Sequence, residues 1–208
     1  MMAGRIDRIA KRTLDITVAG VGLVVTAPVQ LVLACVIASR LGRPVLFVQP
    51  RPGKGGRVFN LVKFRSMLPV DEARGLVTDE DRMTTFGSVL RSTSLDELPT
   101  LWNVVRGDMS LVGPRPLLVR YLDRYSSRQA RRHDVRPGVT GLAQISGRNA
   151  ISWVDKLELD VRYVETRTFL GDLRILASTF GRVLRRDGVT QDGSVTVDEF
   201  LGRKTELT

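Results

Sequence analysis

A chain of 208 residues with 32 lysines and arginines against 22 aspartates and glutamates carries a formal charge of +10. One cysteine, Cys35, and one histidine, His133, exclude an intramolecular disulfide, a cysteine metal cluster and any chemistry that needs two imidazoles. The basic balance fits nucleic acid, an anionic membrane surface or a phosphorylated substrate, and the length suits one sizeable core, or a membrane element plus one compact domain.

Arg5, Arg8, Lys11 and Arg12 lead into a run from Ile16 to Ser39 in which no residue carries a formal charge. As a helix this run would be about 36 Å long, enough to cross a bilayer. A signal peptide fits poorly, because the run is long and cationic sequence follows without a clear cleavage site. Pro28 lies mid-run and predicts a kink. Arg40, Arg43 and Arg51 follow, so both flanks are basic and both are drawn to the cytoplasm. Two readings stand: a tilted crossing helix with a proline kink, or a helix that enters, bends at Pro28 and returns. In the second, Thr26 or Gln30 would help repair the broken turn. Asp15, at the membrane entry, is expected to pair with Lys11 or Arg12.

Val45–Gln49 and Val58–Phe64 read as strands of a hairpin, joined by the turn-rich stretch Pro50–Gly56. Gly53, Gly55 and Gly56 do not form a Walker loop, since no G-K-[ST] follows. Lys63 and Arg65 alternate along the second strand and are placed to face one phosphate, or simply to be solvated. Pro69–Arg82 reads as a loop and Met83–Leu90 as a short helix weakened by Gly87.

The stretch Arg91–Pro116 holds the adjacent carboxylates Asp96 and Glu97. In one reading Ser94 and Glu97 form a capping box, or Asp96 is itself the cap, with Pro99 early in the following helix. In the other the pair is chemical: an ionised aspartate beside a second carboxylate suits a nucleophile and a magnesium site. Both readings put the pair near a helix N-terminus, which would favour the ionised forms. Leu98, Leu101, Trp102 and Val105 make an apolar face, and Gly107 ends the helix. Gly113-Pro114-Arg115-Pro116 is a rigid turn that fixes one guanidinium, the side chain whose fork matches phosphate oxygens.

Leu117–Arg132 reads as an amphipathic helix. Arg136 and Arg148 flank a glycine-rich stretch and offer two more phosphate ligands. Ser152–Val164 and Phe169–Leu184 read as helices, either able to lie on a membrane surface, with ordinary core packing the more frequent cause of such a pattern. From Gly188 the chain is polar, with little core to offer.

Several blocks, in order, resemble the small monotopic phosphoglycosyl transferases, also called bacterial sugar transferases. They are Lys11-Arg12 with Asp15, Pro28, Lys63-Phe64-Arg65-Ser66-Met67, Thr93-Ser94-Leu95-Asp96-Glu97-Leu98-Pro99, Leu111-Val112-Gly113-Pro114-Arg115-Pro116, Arg136-Pro137-Gly138-Val139-Thr140-Gly141-Leu142-Ala143-Gln144, and Asp160 with Tyr163. The resemblance covers nearly the whole chain and matches the minimal catalytic unit. It implies a mostly helical α/β monotopic membrane protein: a re-entrant kinked helix over 1–40, a cytoplasmic catalytic domain with a short hairpin over 41–187, and a tail over 188–208. Ala27 stands where serine is common in the family, which leaves the kink less supported.

The resemblance also implies the chemistry. A phosphosugar passes from a UDP-sugar to polyprenyl phosphate, usually undecaprenyl phosphate, releasing UMP. It takes place with magnesium on the cytoplasmic face of the bacterial inner membrane. Asp96 would attack the sugar-side phosphorus, and Glu97 would hold magnesium with it or orient the groups. Arg91 and Arg115 would be the leading phosphate-binding candidates, with Lys63, Arg136 and Arg148 behind them, and Asp160 as a weaker site candidate. The stretch Gly147–Trp153 and the tail resemble members that use N-acetylated, often 6-deoxy, sugars such as UDP-diacetylbacillosamine. Homo-oligomers and other glycan-assembly enzymes are compatible partners. The rivals are a noncatalytic membrane scaffold for glycan assembly and a membrane-anchored nucleic-acid binder. The second lacks any recognisable reader motif, so no nucleic acid is expected as a partner.

Overall fold

The computed structural model describes residues 2–147, 151–185 and 199–202. Its first element, α1 (Met2–Arg40), is a single 39-residue helix with Pro28 inside it. From Asp7 to Arg40 it is long and apolar enough to cross a membrane, with a mean hydropathy of 2.4 in its most apolar window.

Both ends of α1 are held by the rest of the chain. At the first, Lys11 Nζ donates to Asp172 Oδ2 at 2.6 Å and to the Val112 carbonyl at 3.0 Å. The Arg12 guanidinium donates to the carbonyls of Val104 and Val105, at 2.7 and 2.9 Å. Those carbonyls close helix α4 (Thr100–Arg106), so a cation meets the negative end of that helix. Asp15 is buried and accepts from Ser110 Oγ (3.0 Å) and the Leu111 amide (2.9 Å). The expected pairing of Asp15 with Lys11 or Arg12 is therefore wrong: burial against a strand supplied fixed donors, and both cations turned to other acceptors. At the second end Ile37 and Leu41 pack with Phe64 and Leu90. Between the two anchorages Val24, Val25, Leu31 and Val32 stand exposed. Beside Pro28, the Thr26 hydroxyl donates to the Gly22 carbonyl and Gln30 Nε2 donates to Thr26 Oγ1.

The hairpin pairs β1 (Leu46–Pro52) with β2 (Val58–Phe64), antiparallel, in register from Leu46 opposite Phe64 to Pro52 opposite Val58. β1 runs further than the expected Gln49, through Pro50 and Pro52. An edge strand tolerates proline because the missing donor need not face a ladder. The stretch expected as loop contains a 3-10 turn (Glu72–Arg74) and one α-helical turn, α2 (Asp79–Arg82), the latter started by a Thr78–Asp81 capping box. Helix α3 (Thr85–Ser92) follows, its first turn capped by Thr84. A Cβ on Gly87 would lie 1.9 Å from the Ser66 carbonyl oxygen. Glycine sits there for close packing, whatever it costs in helix propensity.

Strands β3 (Ser110–Val112) and β4 (Gly138–Thr140) form a two-stranded parallel pair inside the main core, with Ala19, Val104, Met109, Tyr163 and Ile175 around them. The expected helix over Leu117–Arg132 is not formed. A 3-10 segment (Val119–Arg124), the one-turn helix α5 (Ser127–Ala130) and a second 3-10 turn (Arg131–Asp134) stand there instead. Tyr125 is extended, and a Ser126–Gln129 capping box restarts the chain. Local capping competes with helix continuation, and the break sends Tyr121 and Arg132 into different buried sites. Helix α6 (Leu142–Ser146) precedes α7 (Trp153–Thr166) and α8 (Phe169–Arg185), which lie close to their expected bounds. On α8, Leu170, Leu173 and Phe180 are exposed. The tail does supply core: Phe200 is buried against Tyr121, Tyr125 and Trp153, with ring centroids 5.6–5.7 Å apart.

Candidate active site

The carboxylate pair lies in a 3-10 turn, Leu95–Glu97, between α3 and α4. Ser94 enters it in the left-handed region at φ 57° and makes no side-chain cap. Neither capping reading holds: Ser94 has the wrong backbone for a cap, and Pro99 is the residue that precedes the first turn of α4. A non-glycine residue held there costs about 1–3 kcal/mol and persists only where its surroundings enforce it.

The surroundings are the free edge of β2. Thr100 Oγ1 donates to the Val62 carbonyl at 2.9 Å. Asn103, fully buried, accepts from the Val62 amide at 3.0 Å and donates to the Asn60 carbonyl at 2.8 Å. Side chains of α4 thus satisfy the ladder groups that β1 leaves open. This docking brings Lys63, on β2, against the turn.

Lys63 Nζ meets Glu97 Oε1 at 2.6 Å, and Arg115 Nη2 meets the same oxygen at 3.0 Å. Burial would raise the Glu97 pKa, but the charges of Lys63 and Arg115 outweigh it and hold the carboxyl well below its usual range. Asp96 behaves oppositely. It is 7% exposed, and burial first, then the neighbouring Glu97 charge, push its pKa above the ordinary aspartate value despite Lys63, Arg115 and Arg91 facing it. The expectation that both ionised forms are favoured holds for Glu97 alone, because desolvation outweighs the helix end at Asp96. No described residue hydrogen-bonds the Asp96 carboxylate, and neither of its oxygens is among the sealed, partnerless atoms. A reacting group can therefore reach it.

Arg91 is anchored by Nε to Ser66 Oγ at 3.0 Å and faces Asp96. Arg115 is set by the turn after β3. The Gly138 amide donates to the Pro114 carbonyl, and a Cβ on Gly138 would lie 2.1 Å from the Gly113 nitrogen, so only glycine lets the two backbones meet. Behind Arg115 stands a buried ion pair. Arg132 Nη2 donates to Asp160 Oδ2 at 2.7 Å and to the Arg115 carbonyl at 2.6 Å. Asp160 is therefore a support, separated from the carboxylate pair by Arg132 and Arg115.

Of the residues expected at the site, Lys63, Arg91, Asp96, Glu97 and Arg115 come together. Arg136 does not: its Nε donates to the Gly107 carbonyl, and it lines a separate cleft of about 610 Å³ with Lys54, Arg57 and Asp108. Arg148 lies outside the described residues. Arg65 turns to the Arg43 carbonyl. His133 packs on Tyr125, and burial, with Arg132 beside it, pushes its pKa down to about 4, so it is neutral at pH 7. Arg132, Thr100 and Asn103 were missed, since no local pattern marks a residue whose partners lie far along the chain. Arg51 was missed as well. It lines a cavity of about 70 Å³ with Lys63, Glu97, Thr100, Arg115 and Gly138. Strand alternation, which puts Arg51 on the same face as the Phe59 side chain opposite it, was the available signal.

Among the described residues no group of three or more histidines, cysteines or carboxylates is placed to hold a metal. Asp96 and Glu97 offer a hard oxygen pair, with Glu97 Oε1 already engaged by Lys63 and Arg115. That donor set suits a cation that keeps much of its water and takes substrate phosphate as a further ligand.

Residues 6–186 match the family model described as bacterial sugar transferase. The chain is 49% identical over 195 residues to an uncharacterized sugar transferase, EpsL, of Bacillus subtilis strain 168, covering 93% of this chain and 96% of that one. It is 38% identical over 199 residues to a UDP-glucose:undecaprenyl-phosphate glucose-1-phosphate transferase of Caulobacter vibrioides, covering 88% and 74%. It is 37% identical over 205 residues to an undecaprenyl-phosphate galactose phosphotransferase of Salmonella typhimurium strain LT2, covering 90% of this chain and 43% of that one.

Proposed function

The chain belongs to the bacterial sugar transferase family, and on that premise we propose that it transfers a phosphosugar from a UDP-sugar to polyprenyl phosphate by way of a covalent intermediate on Asp96. The observation that carries this reading is the contrast within the carboxylate pair. Glu97 is clamped by Lys63 and Arg115, whereas Asp96 is buried, unbonded and faced by cations. A desolvated carboxylate with no hydrogen bond to break is a better nucleophile than a solvated one, and the cations offset charge on the phosphoryl group.

In the first displacement an Asp96 oxygen bonds to the sugar-side phosphorus. The bond from that phosphorus to the bridging oxygen breaks, and its electron pair leaves with UMP. In the second, a phosphate oxygen of the polyprenyl lipid bonds to the same phosphorus, and the acyl phosphate bond breaks to restore the Asp96 carboxylate. Asp96 and Glu97 would hold magnesium together, and when bound it would neutralise phosphate charge. Lys63 and Arg115 fix Glu97, and Arg91 offsets charge beside Asp96.

The acceptor sits at the headgroup layer, so membrane placement belongs to the same reading. Both ends of α1 pack on one body while its middle is exposed. A straight crossing would put those ends on opposite faces. This supports a re-entrant helix with the catalytic domain on the cytoplasmic face, and the exposed Leu170, Leu173 and Phe180 of α8 suit contact with the same surface. Cysteines placed near residues 5 and 43 should both be labelled from the cytoplasmic side only. Labelling from opposite sides would refute re-entry.

For the donor sugar, an N-acetylated hexose is the first to test, on the likeness of Gly147–Trp153, against the glucose and galactose named for the relatives. The experiment is UMP release across a panel of UDP-sugars, with nanodisc protein, magnesium and short-chain polyprenyl phosphate. Asp96→Asn should abolish it while the fold is kept. Without acceptor lipid, the wild type should gain the mass of one sugar phosphate on Asp96. Turnover by Asp96→Asn would refute the covalent step.

A further inference from the structure

The proposed chemistry leaves Arg51 unused, although Arg51 shares the cavity of about 70 Å³ with Lys63, Glu97 and Arg115. Its guanidinium has five N–H donors, and the structure engages two groups: Nη1 with the Pro116 carbonyl at 3.2 Å and Nη2 with Gln49 Oε1 at 2.6 Å. Nε is buried without an acceptor. Among the described residues no carboxylate lies within ion-pair distance of Arg51, and the charge that does bear on it is Arg115, of like sign. Burial and that like charge lower its pKa to about 10, so it still carries a proton at pH 7.

Arg115 has Glu97 as its counter-charge, but Arg51 has none among the described residues, and a half-buried arginine is unfavourable unless an anion completes the set. The ledger of the site points the same way. Lys63, Arg91, Arg115 and Arg51 stand against Asp96 and Glu97, an excess of two positive charges. A diphosphate ester supplies about two negative charges at pH 7.

We infer that Arg51 is a further substrate-binding residue, which holds the nucleotide-side phosphate of the UDP-sugar in the cavity between β2 and the Arg115 turn. This rests on the phosphosugar-transfer reading above. The side of the diphosphate follows from placement. Lys63 and Arg115 line the cavity together with Arg51 and also face Asp96, whereas Asp96 itself does not line it. The phosphorus under attack sits at Asp96, so the phosphate that reaches past Lys63 and Arg115 into the cavity, toward Arg51, is the one that leaves with UMP. A guanidinium there stabilises the negative charge that develops on the departing oxygen.

The test compares the binding of UMP and of uridine, by calorimetry on detergent-solubilised full-length protein, in the wild type, Arg51→Gln and Arg51→Lys. The wild type should prefer UMP. Arg51→Gln should shrink that preference tenfold or more and leave uridine unchanged, while Arg51→Lys falls between them. An unchanged preference in a folded Arg51→Gln overturns the inference. Equal weakening of both ligands overturns it too, because Arg51 would then act only by bracing Pro116. Wild-type UMP release, measured in parallel, tests the parent reading separately. If the wild type releases UMP while Arg51→Gln keeps its preference, the inference alone falls. If the wild type neither releases nor binds UMP, both fall.

Discussion

Replacing Asp160 by leucine tests whether the buried pair behind Arg115 supports both the fold and the site. Arg132 and Asp160 are 2% and 4% exposed. Two N–H groups of the guanidinium reach one carboxylate oxygen, at 3.0 and 2.7 Å. Leucine has similar volume, so no large cavity opens, but Arg132 is left as a buried cation without a counter-charge. Breaking such a pair from one side costs about 3–5 kcal/mol. For a chain of this size each kcal/mol lowers Tm by about 2–4 °C, so the loss should be roughly 6–20 °C. The assay is thermal unfolding in detergent, with UMP release alongside. Turnover should also fall, because the 2.6 Å bond from Arg132 to the Arg115 carbonyl loses its geometry and Arg115 then loosens its hold on Glu97. Adding Arg132→Met should recover most of the stability, since two apolar residues can replace a buried pair at little cost. Turnover should stay low, because the Arg115 carbonyl still lacks its donor. A Tm for Asp160→Leu within about 1 °C of wild type would refute the argument, as would full turnover in the double variant.

Further outcomes follow from the same geometry. Gly87→Ala would drive a Cβ to 1.9 Å from the Ser66 carbonyl, and overpacking of that kind costs about 1–3 kcal/mol; a melt at the wild-type temperature would show that α3 moves freely. Glu97→Gln removes the shared partner of Lys63 and Arg115, and turnover should drop roughly 100–1,000-fold, on the scale of losing one preorganised electrostatic group; retention of more than a tenth of it would count against the clamp. The raised pKa of Asp96 puts the acid limb of kcat above the ordinary aspartate range, since only the ionised form attacks; a limb at the ordinary value would show that Asp96 is solvated in use. The same shift acts on stability with the opposite sense. The folded state binds the Asp96 proton more tightly than the unfolded one, so this group's contribution is greatest below the ordinary aspartate pKa and declines as pH rises through the window up to the raised one. Lys11→Met leaves the buried Asp172 with Tyr163, at 2.8 Å, as its remaining side-chain partner among the described residues. It should lower Tm by several degrees, and an unchanged melt would mean that the start of α1 is held by Arg12 and Asp15 alone.

The local features of this protein are written locally. Hydrophobic run length made α1 legible, alternation and turn chemistry made the hairpin legible, and apolar spacing placed α7 and α8 to within about two residues. Gly107 ends α4 at φ 94°, as a glycine after the last periodic residue leads one to expect. The neighbouring carboxylates, and an arginine between prolines, marked the centre of the site for the same reason: their chemistry lies in adjacent residues.

What only the tertiary structure decided involves partners far apart in sequence. Ser94 and Glu97 spell a capping box, yet Ser94 is left-handed and the pair lies in a 3-10 bend, next to the helix whose Thr100 and Asn103 dock on the edge of β2. Asp96 and Glu97 are neighbours with equal formal charge. Their pKa values move apart because Lys63 and Arg115, 34 and 18 residues from Glu97, reach its Oε1 while burial governs Asp96. Arg136 and Asp160 looked like site residues by type and spacing. Packing sent one to a separate cleft and the other beneath Arg115. Composition and periodicity fix what a segment can form, but a pKa is set by desolvation and by charges within a few ångströms, and those neighbours are chosen by the fold.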